Sequence, residues 1–355
     1  MSVITVFDHF GVPLTEIEAV TRRSWMLLDS VRKQPGRCEF SVSTKEAKCK
    51  ERYLRYGNLV LVQHVPSTDE DGSTRGTLPD WVGMIQIPRT WPFGSVGVTA
   101  YSAEIVLMKR CPPFKTFYNT AWEGIVADFL DYANAETKNG LTVRKGFLQP
   151  SAGQMTYWDV YTDIFAHLAN IGEPSVRAEY SHGKMTLYMD WWNGGQRGIA
   201  CPIVLDETNT ESAEGQSTLT EQGTLINASI FTNTTDTLFA RTERMWRNER
   251  SISKYGLMEG YGVIQGGNSV TPAQLLSAAQ SMAEGSGEPI KTIQPVVLDK
   301  GQLLSYMSPG NRFPLSISNV GFLADGLGIE GWARMVGVEY SDDTRRCRTV
   351  MEELV

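Results

Sequence analysis

The chain has 355 residues, a formal net charge of −7, and 41% hydrophobic against 21% charged residues. That length exceeds the roughly 150 residues of one typical domain and calls for several cooperating units, while the composition excludes a disordered chain or a long coiled coil. The acidic balance excludes a protein that coats nucleic acid, which needs clustered Lys and Arg to displace counterions; no apolar run reaches the roughly 20 residues of a membrane span, and no basic-then-apolar leader opens the chain, so stable membrane insertion and conventional secretion are not expected.

From Glu16 to about Pro112 the pattern is mostly period two, the signature of strands. Cys38, Phe40 and Val42 alternate with Glu39, Ser41 and Ser43; Asn58–Val62, Trp81–Ile87 and a run from Val96 to Leu107 follow. The polar stretch Ser67–Ser73 is expected to be a solvated loop between two of them. Many short strands with turn residues between them imply a barrel or sandwich.

Near Ala121 the period changes. Ile125, Val126, Phe129, Leu130 and Ala133 recur at helical spacing, and Trp158, Tyr161, Phe165 and Leu168 do so again, predicting two amphipathic helices. Val176, Ala178 and Tyr180 then alternate, Ser181-His182-Gly183 turns the chain, and Met185, Leu187 and Met189 alternate again. Strand character returns after Cys201, through Leu225–Phe231 and Leu238–Ala240. A segment from Glu243 to Gly287 holds Thr271-Pro272 before Ala273–Ala279, with Thr suited to an N-cap and Pro to the first helical position. It is expected to be a helical insertion. Strands resume at Val296–Leu298, Phe313–Ile317, Trp332–Val338 and Thr349–Met351.

The two β-rich regions share a spacing. Gly57-Asn58 and Gly310-Asn311 each open a strand, and Trp81 and Trp332 each open another after a loop. This predicts a duplicated β unit.

Catalytic signatures are lacking. The four histidines, His9, His64, His167 and His182, are scattered singly, without the spacing of metal ligands. Five cysteines (Cys38, Cys49, Cys111, Cys201, Cys347) form no C-x-x-C and read as buried or incidental thiols. Neither G-x-S-x-G nor a phosphate-binding loop occurs, and Gly194-Gly195 and Gly266-Gly267 read as turns. Asp69-Glu70-Asp71 and Asp206-Glu207 lie in polar loops, unlike the facing carboxylates of a glycosidase. No catalytic, cofactor or metal residue is assigned. Trp191-Trp192 is the most suggestive surface feature: adjacent strand residues face opposite ways, so one Trp is expected in the core and the other in a protein interface, with a sugar-stacking site as the alternative.

The order of these parts resembles the tail-hub proteins of tailed phages. Arg23-Ser24-Trp25 fits that family's opening strand; Gly57–Val62 with Trp81–Ile87 resembles its first barrel, and Gly310–Ile317 with Trp332–Val338 its second. Ser251–Gly256 resembles the segment leading into its insertion helix, here Pro272–Ala283. The resemblance implies a mainly β fold with α+β insertions: a first β-barrel hub domain over 1–113, a small α+β domain over 114–200, a second β-barrel hub domain over 201–242 and 288–355, and a helical insertion over 243–287. It implies a structural protein, not an enzyme, located at the tail tip of a virion and assembled in the host cytoplasm. Its partners would be two further copies in a homotrimer, a hexameric tail tube or distal-tail ring, the tape-measure protein, and a trimeric tip, spike or fibre, with DNA passing only in transit. The alternatives are the base of a contractile injection or type VI spike complex, and a carbohydrate-binding or cell-wall-degrading tail protein.

Overall fold

Period-two segments pair into sheets as their alternation requires. The computed structural model describes the chain except residues 1, 28–33, 66–67, 69–73, 87–89, 91, 113–115, 136–141, 151–153, 159–162, 193–196, 212–217, 223–224, 235–241, 265–266, 268–269, 288–289, 324–325 and 355. Most of the Ser67–Ser73 loop, Leu238–Ala240 and Gly194-Gly195 thus lie outside the described residues. The chain divides into two units, Met1–Thr218 with Ile293–Val355, and Leu219–Thr292. The fold is mainly β with few helices.

In the first unit the early strands are β1 (Ser2–Phe7), β2 (Pro13–Ala19), β3 (Thr21–Met26), β4 (Arg37–Ser43), β5 (Leu59–His64), β6 (Trp81–Ile85) and β7 (Ser95–Ser102). Their inward residues Ile4, Val6, Ile17, Cys38, Phe40, Val42, Val60, Val62, Trp81, Val96 and Val98 form one core. The run expected to continue as a strand to Leu107 instead turns into α1 (Ile105–Met108), which buries Ile105, Val106 and Leu107. Three consecutive apolar residues all find cover in a helical turn, whereas a strand would aim one of them outward.

The α+β portion follows with β8 (Thr116–Ala121), α2 (Trp122–Ala135), β9 (Val143–Leu148), β10 (Gln154–Trp158), α3 (Ile164–Ile171), β11 (Glu173–Ser181) and β12 (Lys184–Trp192). The buried side of α2 is the predicted set Ile125, Val126, Phe129, Leu130 and Ala133. The second helix is shorter than its periodicity implied. Trp158 belongs to β10, and α3 starts only after Asp163, whose carboxylate accepts from Ala166 N–H at 2.8 Å as an N-cap. The β11–β12 hairpin turns at His182 and Gly183, both with positive φ, 52° and 72°, as a two-residue hairpin loop needs.

After β13 (Leu205–Asp206) and β14 (Thr218–Gln222), the second unit contains β15 (Ala228–Asn233), β16 (Glu243–Arg247), α4 (Glu249–Tyr255), β17 (Glu259–Ile264) and α5 (Pro272–Gly285). α5 begins with a reciprocal capping box between Thr271 and Gln274 behind Pro272. The segment expected to be helical therefore also carries two strands. They pair with β15, which the sequence pattern had placed in the second barrel. Glu259–Ile264 contains two glycines, which hide strand character from a reading based on apolar alternation.

The chain returns through β18 (Ile290–Gln294), β19 (Val296–Leu298), a 3₁₀ turn (Leu303–Tyr306), β20 (Arg312–Leu323), β21 (Gly326–Ser341) and β22 (Arg346–Leu354). Antiparallel pairing here runs β19-β22-β21-β20. In the first region it runs β4-β7-β6-β5. The order is the same.

The corners before β5 and β20 also match bond for bond. Gly57 N–H donates to Ile85 O at 3.1 Å and Ile85 N–H to Asn58 O at 2.8 Å; Gly310 N–H donates to Met335 O at 2.7 Å and Met335 N–H to Asn311 O at 2.8 Å. Each Asn amide then donates to the carbonyl five residues back, Asn58 to Tyr53 O at 3.0 Å and Asn311 to Tyr306 O at 2.9 Å. Hence the repeated pattern is Tyr-x-x-x-Gly-Asn, longer than the Gly-Asn pair first noticed. The tryptophans do not correspond: Trp81 lies opposite Val62 and is buried, whereas Trp332 lies opposite Pro314 and is 45% exposed.

Gly57 and Gly310 have φ of 88° and 98°. A Cβ at Gly57 would meet nothing within 4 Å, but at Gly310 it would come within 2.9 Å of Arg197 Cγ. Gly57→Ala is therefore expected to cost about 1–2 kcal/mol from the left-handed backbone alone, and Gly310→Ala more, because Arg197 must also shift. Urea midpoints of the two variants check the ranking.

Candidate interaction surfaces

β21 links the two similar strand sets. Its first half pairs with β20 and its second half, Gly337–Ser341, with β3. Across this junction one row of residues reads Ala100, Cys38, Arg23, Tyr340, Cys347, Val297 from β7 through β4, β3, β21 and β22 to β19. All six are buried. Burial pushes the Cys38 thiol up to about 12 and raises Cys347 and Tyr340 as well, so the row is protonated and, apart from Arg23, uncharged near neutral pH.

Arg23, 1% exposed, donates from Nη1 to Ser2 Oγ at 2.9 Å and lies 5.6 Å and 5.5 Å from the ring centroids of Trp25 and Tyr340. Its Nε and Nη2 have no partner among the described residues. Desolvation lowers its pKa, and the Asp342 charge opposes this. Asp342 sits in the turn after β21. Its carboxylate accepts from Ser2 Oγ at 2.9 Å, Thr21 N–H at 2.8 Å and Thr21 Oγ1 at 2.9 Å. Burial alone would raise its pKa, but the hydrogen bonds from Thr21 and Ser2 and the charge of Arg23 outweigh it and hold the carboxyl below its ordinary value.

The opposite face of the same strands is wet. One row there carries Thr99, Glu39, Arg22, Ser341 and Arg346, and the next holds Arg37, Ser24, Glu339 and Arg348. Arg22 pairs with Glu339 at 2.5 Å, Arg37 with Glu39, and Arg346 with Glu211. A groove of about 1160 Å³ runs over this face, lined by Arg37, Glu339, Arg346 and Arg348 among others. Paired charges alternate there with apolar residues, Met26, Ile105, Val338 and Val350 among them.

The predicted tryptophan pair separates as alternation requires. Trp191 is fully buried, stacked on Trp122 at 6.4 Å, while Trp192 is partly exposed. Arg197 lies over the Trp192 ring at 5.0 Å, and the ring of Phe147, 51% exposed, is 5.9 Å away. Phe147, Trp192 and Arg197 thus form one aromatic and cationic patch, a composition typical of interface anchors. Phe147 and Arg197 were not singled out in the sequence.

Three further candidates have defined structural surroundings. His182 makes the hairpin turn, His64 sits 3.3 Å from the Tyr340 hydroxyl, and Asp206 Oδ1 accepts from Thr208 N–H at 2.8 Å to tie its own turn. Among the described residues no three His, Cys, Asp or Glu gather as a metal cage, and no helix is long and apolar enough to cross a membrane.

No family model and no curated protein matches the sequence. Solved structures do. The 43 kDa tail protein of prophage MuSo2 from Shewanella oneidensis superposes with a TM-score of 0.58 at 9% identity, over 99% of this chain and 97% of that one. A tail protein from Neisseria meningitidis MC58 gives 0.55 at 13%, over 99% and 96%. The chain has the fold of phage tail proteins. The same tail fold is found in a chain of the Francisella PdpA–VgrG complex, with a TM-score of 0.55 at 8% identity, over 99% of this chain and 57% of that one. Identities this low show a shared fold alone.

Proposed function

We propose that the chain is a structural subunit of a phage tail hub, a homotrimeric ring between a hexameric tail tube or distal-tail ring and a trimeric tip, spike or fibre. The observation that carries this reading is the doubled framework: the same strand order and the same Tyr-x-x-x-Gly-Asn corner occur twice in one chain. Three such chains present six similar surfaces, so a threefold ring can meet a sixfold one. The fold shared with tail proteins along 99% of the chain supports the same role.

In this reading tape-measure protein and DNA pass through the ring, and the charge-paired face of β3, β4, β21 and β22 is the type of surface past which a polymer slides. Trp192 with Phe147 and Arg197 anchors a protein neighbour, and the chain performs no catalysis. Assembly takes place in the host cytoplasm, and the finished protein sits at the tail tip of the virion. A second reading, the base of a contractile injection or type VI spike complex, is favoured by the likeness to the Francisella chain.

Native mass spectrometry of the purified protein is expected to give three times the chain mass, and electron microscopy a ring with a central opening. A monomer at micromolar concentration would sink the hub. Glycan binding abolished by Trp192→Ala would instead favour a sugar-binding tail protein.

A further inference from the structure

The unit Leu219–Thr292 is a three-stranded sheet with α5 on one face; on the other the edge strands are exposed, while Ala228 and Thr232 of the central strand are each 1% exposed. β15 is central, antiparallel to β16 and parallel to β17. α5 covers the face that carries Ser229 and Trp246: Ser229 Oγ donates to Ala279 O at 2.5 Å, and Trp246 Nε1 to Glu284 at 2.9 Å. Alternation therefore puts Ala228, Ile230 and Thr232, with their cross-strand neighbours, on the other face.

Three rows cross that face. They are Arg247–Ala228–Glu259, Met245–Ile230–Tyr261 and Glu243–Thr232–Val263. Met245 is 43% exposed, Tyr261 61% and Val263 40%, with Ile230 partly buried, so an apolar row opens to solvent at both edges of the sheet. Contiguous apolar residues left open on a folded unit mark an interaction surface more often than scattered single ones do.

We infer that this face is a twofold contact with a second copy of the chain. The charge pattern selects that occupant. Arg247 and Glu259 stand at the same level on opposite edges of the sheet, flanking Ala228. A twofold axis parallel to β15, running between two such sheets, exchanges the β16 edge of one copy with the β17 edge of the other. Each Arg247 then faces the second copy's Glu259, each Met245 faces a Tyr261, and the two Ile230 side chains meet on the axis; each Glu243 comes opposite a Val263, so the matching is carried by the other two rows. An isologous contact needs this self-complementarity, and an unrelated partner would not require it.

Three strands about 4.8 Å apart and five residues long offer a footprint of roughly 240 Å² per copy. That is well below the roughly 800 Å² per partner of a standard stable interface, so the contact is a weak, concentration-dependent equilibrium. It is separate from the ring proposed above and does not rest on it.

Sedimentation equilibrium of the full chain, over rising concentration and at two salt levels, tests the contact. The expected result is a species of twice the base mass, weakened by salt. Arg247→Glu should weaken doubling by about tenfold or more, since like charges then face each other twice, and Arg247→Glu combined with Glu259→Arg should restore it. No doubling at any concentration, doubling indifferent to Arg247→Glu, or no rescue by the swapped pair would each overturn the contact. A trimer that never doubles overturns it and leaves the hub standing. A monomer that doubles to a dimer does the reverse.

Discussion

Asp342→Ala is expected to destabilise the unit that carries the large sheet by about 3–5 kcal/mol, because it removes one member of a buried charged cluster and leaves the others unpaired. Three donors, Ser2 Oγ, Thr21 N–H and Thr21 Oγ1, lose their acceptor together, and the Arg23 cation loses the nearest opposing charge. Arg23→Met should cost much less. Two of the three guanidinium nitrogens of Arg23 already lack partners among the described residues, whereas Asp342 would keep its neutral donors. Urea unfolding followed by tryptophan fluorescence measures both, and equal losses would contradict the account.

The same carboxylate gives the stability a pH dependence. Its folded pKa lies below the ordinary value of 3.8, so its contribution is fully present above that value and is lost as the pH falls through the folded one. The wild-type urea midpoint should therefore fall more steeply on acidification below about pH 4 than that of Asp342→Ala.

Trp191→Ala should cost about 3–5 kcal/mol, the range for emptying a buried Trp site, while Trp192→Ala should leave stability within about 1 kcal/mol of wild type. Trp191 is enclosed, with Trp122 stacked on it and Gly172 so close that a Cβ there would stand 2.5 Å from the indole. Trp192 has Phe147 and Arg197 beside its ring and is partly exposed. If Trp192 anchors a neighbouring protein, its variant folds normally but loses mass in native measurements of the assembly. Comparable thermal shifts for the two variants would refute the division of roles.

Elements whose pattern is local were legible in the sequence. The α2 stripe from Ile125 to Ala133, the alternation in β4 and the His182-Gly183 turn all declare themselves within a few residues, because the periods 3.6 and 2 and the demand for positive φ are short-range. Trp158 misled because its spacing to Phe165 continues a helical rhythm across a break that only the Asp163 cap marks. Trp81 and Trp332 looked equivalent through their distance from Gly-Asn, but loop lengths differ, and a one-residue change of register turns a strand residue to the other face. The Asp342 cluster had no local signal at all: Thr21, Arg23 and Asp342 meet through the pairing of β3 with β21, and Ser2 joins them from β1. The exposed apolar edges of β15–β17 were hidden for a related reason, since the rows are defined across strands and the glycines of β17 break the apolar alternation.

The strand β21 holds β20 along one half and β3 along the other. During synthesis β3 emerges early, yet its partner is separated from it by some three hundred residues, which takes about 15–60 s to make at roughly 5–20 residues per second. Throughout that interval one edge of β3 has no strand to receive it, and the acceptors for Ser2 and Thr21 do not yet exist. Completion of the sheet is thus a late, long-range event that follows translation of nearly the whole chain, and the nascent protein must be shielded from edge-to-edge association until then.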